Sequence, residues 1–327
     1  MTVLRITFLG TAGSVPTPER NPSAIVIRRE ADLFMFDCGE GAQQQMMRAK
    51  TGMKISAIFI THFHADHVLG IPGLIQTLSM QGRQEPLEIY GPKGVKRFLY
   101  HLLSLGYGGK FEVKAIELNP GDVVRRDGYV IKAFKTLHNV RSIGYVLEED
   151  MRPGKFNRER AIALGLKPGP LFSKLQHGES VFVDGREIRP EDVLGPPRPG
   201  RKIVYTGDTR PSESIVESAK NADILIHDGT MSEEEKEQAI EYMHSTASEA
   251  AEIAKRANVR RLILTHISAR YSDENGVQKL EEEAKKIFEN VEIARDLMTL
   301  DVRYRDGDNR DGDEDEDEDE KMKKTES

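Results

Sequence analysis

The chain has 327 residues, 38% of them hydrophobic, enough to bury a substantial core in one large domain or two modest ones. A single cysteine, Cys38, excludes an internal disulfide framework and fits a reducing cytoplasm, and no apolar run approaches the ~20 residues of a membrane span. The net charge of −7 belongs to one end: residues 306–327 carry twelve acidic and four basic side chains, so residues 1–305 are near neutral and free to approach a polyanion.

The N-terminus enters a strand pattern at once, without the basic start and cleavage site of a signal peptide. Strands are expected at Leu4–Leu9, Ala24–Arg28, Leu33–Asp37, Ile55–Thr61, Leu87–Tyr90, Phe111–Leu118, Tyr129–Thr136, Ile143–Leu147, Lys202–Thr206, Ile224–Ile226, Arg261–Thr265 and Val291–Ala294. Helices are expected between them at Ala42–Thr51, Val68–Ser79, Val95–Leu105, Ser212–Ala219, Thr246–Ala257 and Asn275–Glu289, with Ser245 or Thr246 as an N-cap. Two segments stand apart. Residues 151–195 are rich in Pro, Gly and cations, with Arg152, Lys155, Arg158, Arg160, Lys167 and Lys174 set against Glu159 alone up to Gln176. The Asp/Glu tail 306–327 has no apolar surface to bury and is expected to be disordered.

The run Thr61-His62-Phe63-His64-Ala65-Asp66-His67 places four potential metal ligands directly after an apolar strand. Imidazole nitrogens crowded this way suit a borderline cation such as zinc, and Asp66 can either ligate a metal or take a proton. His138, Asp208 and His266 each follow a predicted strand as well, and strand ends are where open sheets gather ligands. Seven donors exceed one tetrahedral ion. They suit two zincs bridged by one carboxylate, most naturally Asp208, which is a centre for metal-assisted hydrolysis.

Further motifs narrow this reading: Phe36-Asp37-Cys38-Gly39-Glu40-Gly41, Tyr90-Gly91-Pro92-Lys93-Gly94, Thr206-Gly207-Asp208-Thr209-Arg210, His244-Ser245-Thr246 and Thr265-His266-Ile267-Ser268-Ala269-Arg270-Tyr271. With the histidine run, they resemble the metallo-β-lactamase fold hydrolases and, more specifically, the short form of ribonuclease Z, the tRNA 3′-processing endonuclease family. The resemblance extends from about Leu4 to Val302. It implies a four-layer αββα sandwich over residues 1–305, with 151–195 inserted as a basic arm that binds tRNA. One zinc of each subunit would take His62, His64, His138 and Asp208, and the other Asp66, His67, Asp208 and His266.

Further roles follow from the same likeness. Asp66 is the implied proton acceptor and His244 the implied proton donor, with Asp228 standing where the family more often has Glu as its orienter. Asp37 is either a partner for a ligand histidine or a turn carboxylate. The loop Pro16–Asn21 matches a substrate loop in part, with Arg20 and Asn21 retained and Pro18 where the family has lysine. The implied partners are precursor tRNA and a second copy of the chain, in the cytoplasm and away from membranes. Two other readings compete: a broader phosphodiesterase of the same fold, and a metal-stabilised RNA-binding protein without catalysis.

Overall fold

The computed structural model describes residues 3–104 and 109–305; the expected tail lies outside the described residues. Two seven-stranded sheets carry the fold. The first runs, edge to edge, Thr299–Asp301, Leu4–Gly10, Ala24–Arg29, Asp32–Phe36, Ala57–Phe59, Leu87–Pro92 and Val113–Leu118. The second runs Val291–Ile293, Leu262–Thr265, Ile224–Asp228, Lys202–Tyr205, Ile143–Glu149, Tyr129–Lys135 and Val123–Arg126. Pairing in the first sheet is antiparallel from its Thr299 edge to Asp32–Phe36 and parallel beyond it. In the second sheet the strands from Lys202–Tyr205 to Val291–Ile293 are parallel.

Alternation along the strands builds the layers. Leu33, Met35, Ile58 and Ile60 pack outward with the helices Ala42–Arg48, Ile71–Met80 and Val95–Leu102. Val204, Leu225, Leu262 and Leu264 do the same on the second sheet, with Glu213–Ala219, Ala247–Arg256 and Glu274–Lys285. Inward residues close the sandwich: Phe36 stacks on Phe59 at 5.3 Å, and both meet the ring of Tyr145 edge-on. Burying each of these phenylalanines is worth about 1.5–3 kcal/mol. The result is the expected αββα sandwich.

Every expected strand and helix outside the arm has a counterpart, with one correction. The single helix expected at Val68–Ser79 is broken into Ala65–Val68 and Ile71–Met80. The break falls at Gly70, whose N–H donates to the Cys38 carbonyl at 2.9 Å. A Cβ at Gly70 would lie 2.0 Å from the Gly39 carbonyl oxygen, so only glycine permits this approach. The short strands Val123–Arg126 and Thr299–Asp301 and the helix Lys236–Glu241 were not expected.

A second compact unit consists of Arg126–Val130 and Glu148–Arg201. It is more ordered than its composition indicates. Helices Arg158–Ala163, Pro170–Gln176 and Pro190–Val193 and the hairpin Val181–Val183/Arg186–Ile188 enclose a core of Ala161, Leu166, Leu175, Val181, Ile188 and Val193. Asn157 caps its first helix by accepting from the Arg160 N–H at 2.9 Å.

Candidate metal centre

Parallel pairing brings the site together. Asp37 and His62 follow Asp32–Phe36 and Ala57–Phe59, while Asp208 and His266 follow Lys202–Tyr205 and Leu262–Thr265; Asp228 ends the strand between those two. The turns are tight: Asp37 and His266 have φ of 54° and 61°. Gly207 has φ 61°, and a Cβ there would lie 2.8 Å from Thr61, so this turn requires glycine. Across the sandwich, the Tyr145 hydroxyl donates to the Ile60 carbonyl at 2.6 Å and the Tyr205 hydroxyl to Asp37 Oδ2 at 2.8 Å. These bonds hold the two halves of the site together.

Two donor groups form around Asp208. In the first, His64 Nδ1 lies 3.2 Å from His138 Nε2, and Asp208 Oδ2 lies 3.5 Å from His62 Nε2 and 3.9 Å from His138 Nε2. In the second, Asp66 Oδ2 is 3.4 Å from His67 Nε2 and 3.3 Å from His266 Nε2, while Asp208 reaches the same two nitrogens at 3.3 Å. Donors about 2.0–2.1 Å from a tetrahedral ion sit about 3.4 Å from one another, so most of these spacings match an ion's ligand shell. His62 Nε2, His67 Nε2 and Asp208 Oδ1 are buried with no hydrogen-bond partner. Stranded together in a water-poor pocket, they fit a cation.

The opposite ring nitrogens of four of these histidines are engaged. His67 Nδ1 donates to Asp37 Oδ2 at 2.8 Å, and His62 Nδ1 to Thr61 Oγ1 at 3.0 Å. His138 Nδ1 donates to the Met243 carbonyl at 3.0 Å, and His266 Nδ1 to Thr230 Oγ1 at 2.9 Å. Each bond fixes the tautomer that leaves Nε2 with its lone pair toward the centre. Burial first, and then neighbouring imidazoles, hold His62, His64 and His138 below the usual histidine range, as neutral donors. For Asp208 and Asp66 burial works the other way, but the surrounding histidines outweigh it and keep both carboxyls well below their usual range. Burial opposes a charge on His67, yet Asp208 and Asp37 outweigh it and hold this imidazole well above the usual range, so an ion taken up here would displace its proton. Three neutral imidazoles beside two ionised carboxylates complete a cation-seeking centre.

Asp208, Asp228, His244 and His266 form a third group, but its internal bonds give it another character. Asp228 Oδ1 accepts from Thr230 N and Oγ1 at 3.0 and 2.6 Å, and Oδ2 accepts from Thr209 N at 3.0 Å and His244 Nδ1 at 2.9 Å. That carboxylate is saturated. Burial opposes a charge on His244, yet Asp228 and then Asp208 outweigh it and raise the imidazole to about 9. A cationic ring with Nδ1 held from behind, stacked 5.0 Å from His266, can supply a proton at the edge of the centre. Its loop is clamped: Arg210 donates to the His244 carbonyl at 2.6 Å and grips Glu249, which completes a capping box with Thr246.

The remaining expected residues divide. Arg20 corrects an expectation: it is only 4% exposed, and its guanidinium donates to Thr11 Oγ1 at 2.7 Å and the Ala294 carbonyl at 2.6 Å. A side chain spent on these buried acceptors braces the loop instead of facing solvent. Asn21 is half-buried, and its N–H donates to Asp296. In the second unit Lys155, Arg158, Arg160, Lys167 and Lys174 are exposed, while Arg152 is half-buried. Cys38 is fully buried with its thiol pushed far up by burial and then by Asp37, so it is no nucleophile. Sequence reasoning missed Thr61, Thr230, Arg210 and Glu249 as supports. Their only signal was proximity in the chain to His62, Asp228, Asp208 and His244.

Comparison with known proteins agrees with this geometry. Residues 4–151 match the family model for the anti-Pycsar protein Apyc1, and residues 175–267 match that of the beta-lactamase superfamily domain. Ribonuclease Z of Methanosarcina acetivorans is 59% identical over 305 residues, 93% of this chain and 99% of the relative. Ribonuclease Z of Myxococcus xanthus is 48% identical over 309 residues, 94% of this chain and all of the relative. Among solved structures, the human short form of tRNase Z superposes with a TM-score of 0.65 at 28% identity, covering 91% of this chain and 99% of that one. This chain belongs to the ribonuclease Z family, endoribonuclease-type hydrolases built on the metallo-β-lactamase fold.

Proposed function

We propose that the protein is a two-zinc endoribonuclease that removes the 3′ trailer from precursor tRNA by one cut after the discriminator base, leaving a 3′-hydroxyl on the tRNA and a 5′-phosphate on the trailer. The observation that carries this reading is the pair of donor groups meeting at Asp208, together with His244 at their edge. His62, His64, His138 and Asp208 would hold one ion, and Asp66, His67, His266 and Asp208 the other. When bound, the two ions would supply Lewis-acid chemistry and lower the pKa of a water toward ~7.

The chain's own groups do the rest. Asp66 directs Oδ2 toward His67, His266 and the Ser14 N–H, which leaves Oδ1 to accept the proton of the attacking water. His244, oriented by Asp228, protonates the leaving 3′ oxygen. Lys155, Arg158, Arg160, Lys167 and Lys174, together with the half-buried Arg152, meet tRNA phosphates in a sequence-independent and salt-sensitive way. Asn21 remains a contact of the substrate loop, and Arg20 supports that loop from inside. The reading includes a homodimer, in which one subunit's arm holds RNA for its partner. It also places the protein in the cytoplasm, supported by the lone buried Cys38; among the described residues no helix is long and apolar enough to cross a membrane.

Zinc-loaded protein incubated with precursor tRNA is expected to give one cut with the stated ends. Cleavage of small diesters alone would support the broader phosphodiesterase, and RNA binding without cleavage would support the non-catalytic binder.

A further inference from the structure

The helix Val95–Leu102 carries a feature that the metal centre does not use. Lys96 and Tyr100 are four residues apart, as are Arg97 and His101, so they form adjacent rows on one face. All four are exposed, Tyr100 by 71%, and so is Lys93 in the preceding turn. No acidic residue occurs between Glu88 and Glu112. Among the described residues none of Lys93, Lys96 and Arg97 forms an ion pair. Three exposed cations beside the second sheet are, by contrast, neutralised: Lys236 by Glu233, Lys279 by Glu234 and Arg270 by Glu235, each at 2.6 Å.

This face is tied to the centre. Phe98, on the same helix, stacks at 5.0 Å on Phe63, the residue between His62 and His64. A Cβ at Gly94 would lie 3.4 Å from that Phe63 ring. Arg141, three residues beyond His138 and itself exposed, donates to the Lys93 carbonyl at 3.5 Å. Unpaired cations interleaved with an exposed aromatic ring are the elements of a single-strand nucleic-acid track. Lysine and arginine neutralise successive phosphates, and a tyrosine face accepts any base.

We propose that Lys93, Lys96, Arg97 and Tyr100 bind the single-stranded trailer of the substrate beside the His62–His64–His138 side of the centre. The inference rests on the precursor-tRNA reading, in which the acceptor stem is paired and the strand beyond the cut is the unpaired trailer. The test uses the full-length, zinc-loaded protein and one tRNA body carrying a trailer of either one or about fifteen nucleotides. For the long trailer, Lys96→Glu/Arg97→Glu raises KM about tenfold and lowers the salt slope of binding by about 1.4, as two lost phosphate contacts require. Tyr100→Ala raises KM about fivefold. Neither variant changes kinetics on the one-nucleotide trailer, and metal content and melting temperature confirm folding. Equal effects on both trailers, or none on either, would overturn the proposal. If the wild type cleaves no precursor tRNA, the functional reading fails separately. The track is then judged by anisotropy of a labelled single-stranded oligoribonucleotide: weaker binding by the double variant supports it, and unchanged binding overturns it.

Discussion

The two halves of the centre are built in different ways. The first sheet delivers His62, His64, Asp66 and His67 on one loop and the short helix that follows it, and the single carboxylate of Asp37 bonds Thr61 and His67 of this segment as well as Tyr205. The second sheet delivers His138, Asp208 and His266 from separate strand ends, with Asp228 and His244 beside them; the Met243 carbonyl holds His138, Thr230 holds His266 and Asp228 holds His244. The first half concentrates ligand placement in one buried carboxylate. The second spreads it over Thr230 and Met243, while Arg210 and Glu249 hold the separate loop of His244. Damage to a support should therefore spread through the first half and stay local in the second.

The largest expected effect comes from breaking the first half directly. His64→Ala is expected to abolish cleavage in a gel assay while tRNA affinity largely survives; loss of both would mean that the metals hold the fold. His244→Ala tests the second half without removing a ligand: kcat is expected to fall about 10²–10⁴-fold with metal content unchanged. The supports then sharpen the contrast. Asp37→Asn is expected to weaken metal affinity about 10–100-fold, measured by chelator competition. Arg210→Ala should lower kcat about tenfold while metal affinity stays near the wild type, because it loosens the loop more than the ligands. The smallest effect is one of pH. Asp228 holds the His244 imidazole up at about 9, so His244 is the protonated acid below that pH. Asp228→Asn removes the raising charge, and the alkaline limb of kcat is expected to move to lower pH.

The same contrast explains what could be read from the chain. His62 to His67 are legible because ligands on one loop are neighbours in sequence. Asp208 and His266 are legible through strand ends, since an apolar run that stops at a ligand-type residue marks a sheet's edge. Supports contributed by distant segments left no local sign: Tyr205 reaches Asp37 across the sandwich, and Met243 turns its carbonyl to His138. Arg20 shows the limit most clearly, since a cation in a loop reads as a surface contact until Thr11 and Ala294 are found to enclose it. The arm's helices were hidden for another reason. Proline, glycine, arginine and lysine interrupt its apolar pattern, and its small core is assembled from apolar residues scattered through the segment.

With Asp208 common to both donor groups, the two halves are expected to act as one centre. Titrating metal-free protein with zinc, while following precursor-tRNA cleavage at each ratio, tests it most directly. Activity is expected to keep rising until two equivalents per chain are bound; full activity at one equivalent, or two bound equivalents with no cleavage, would rule out a joint centre.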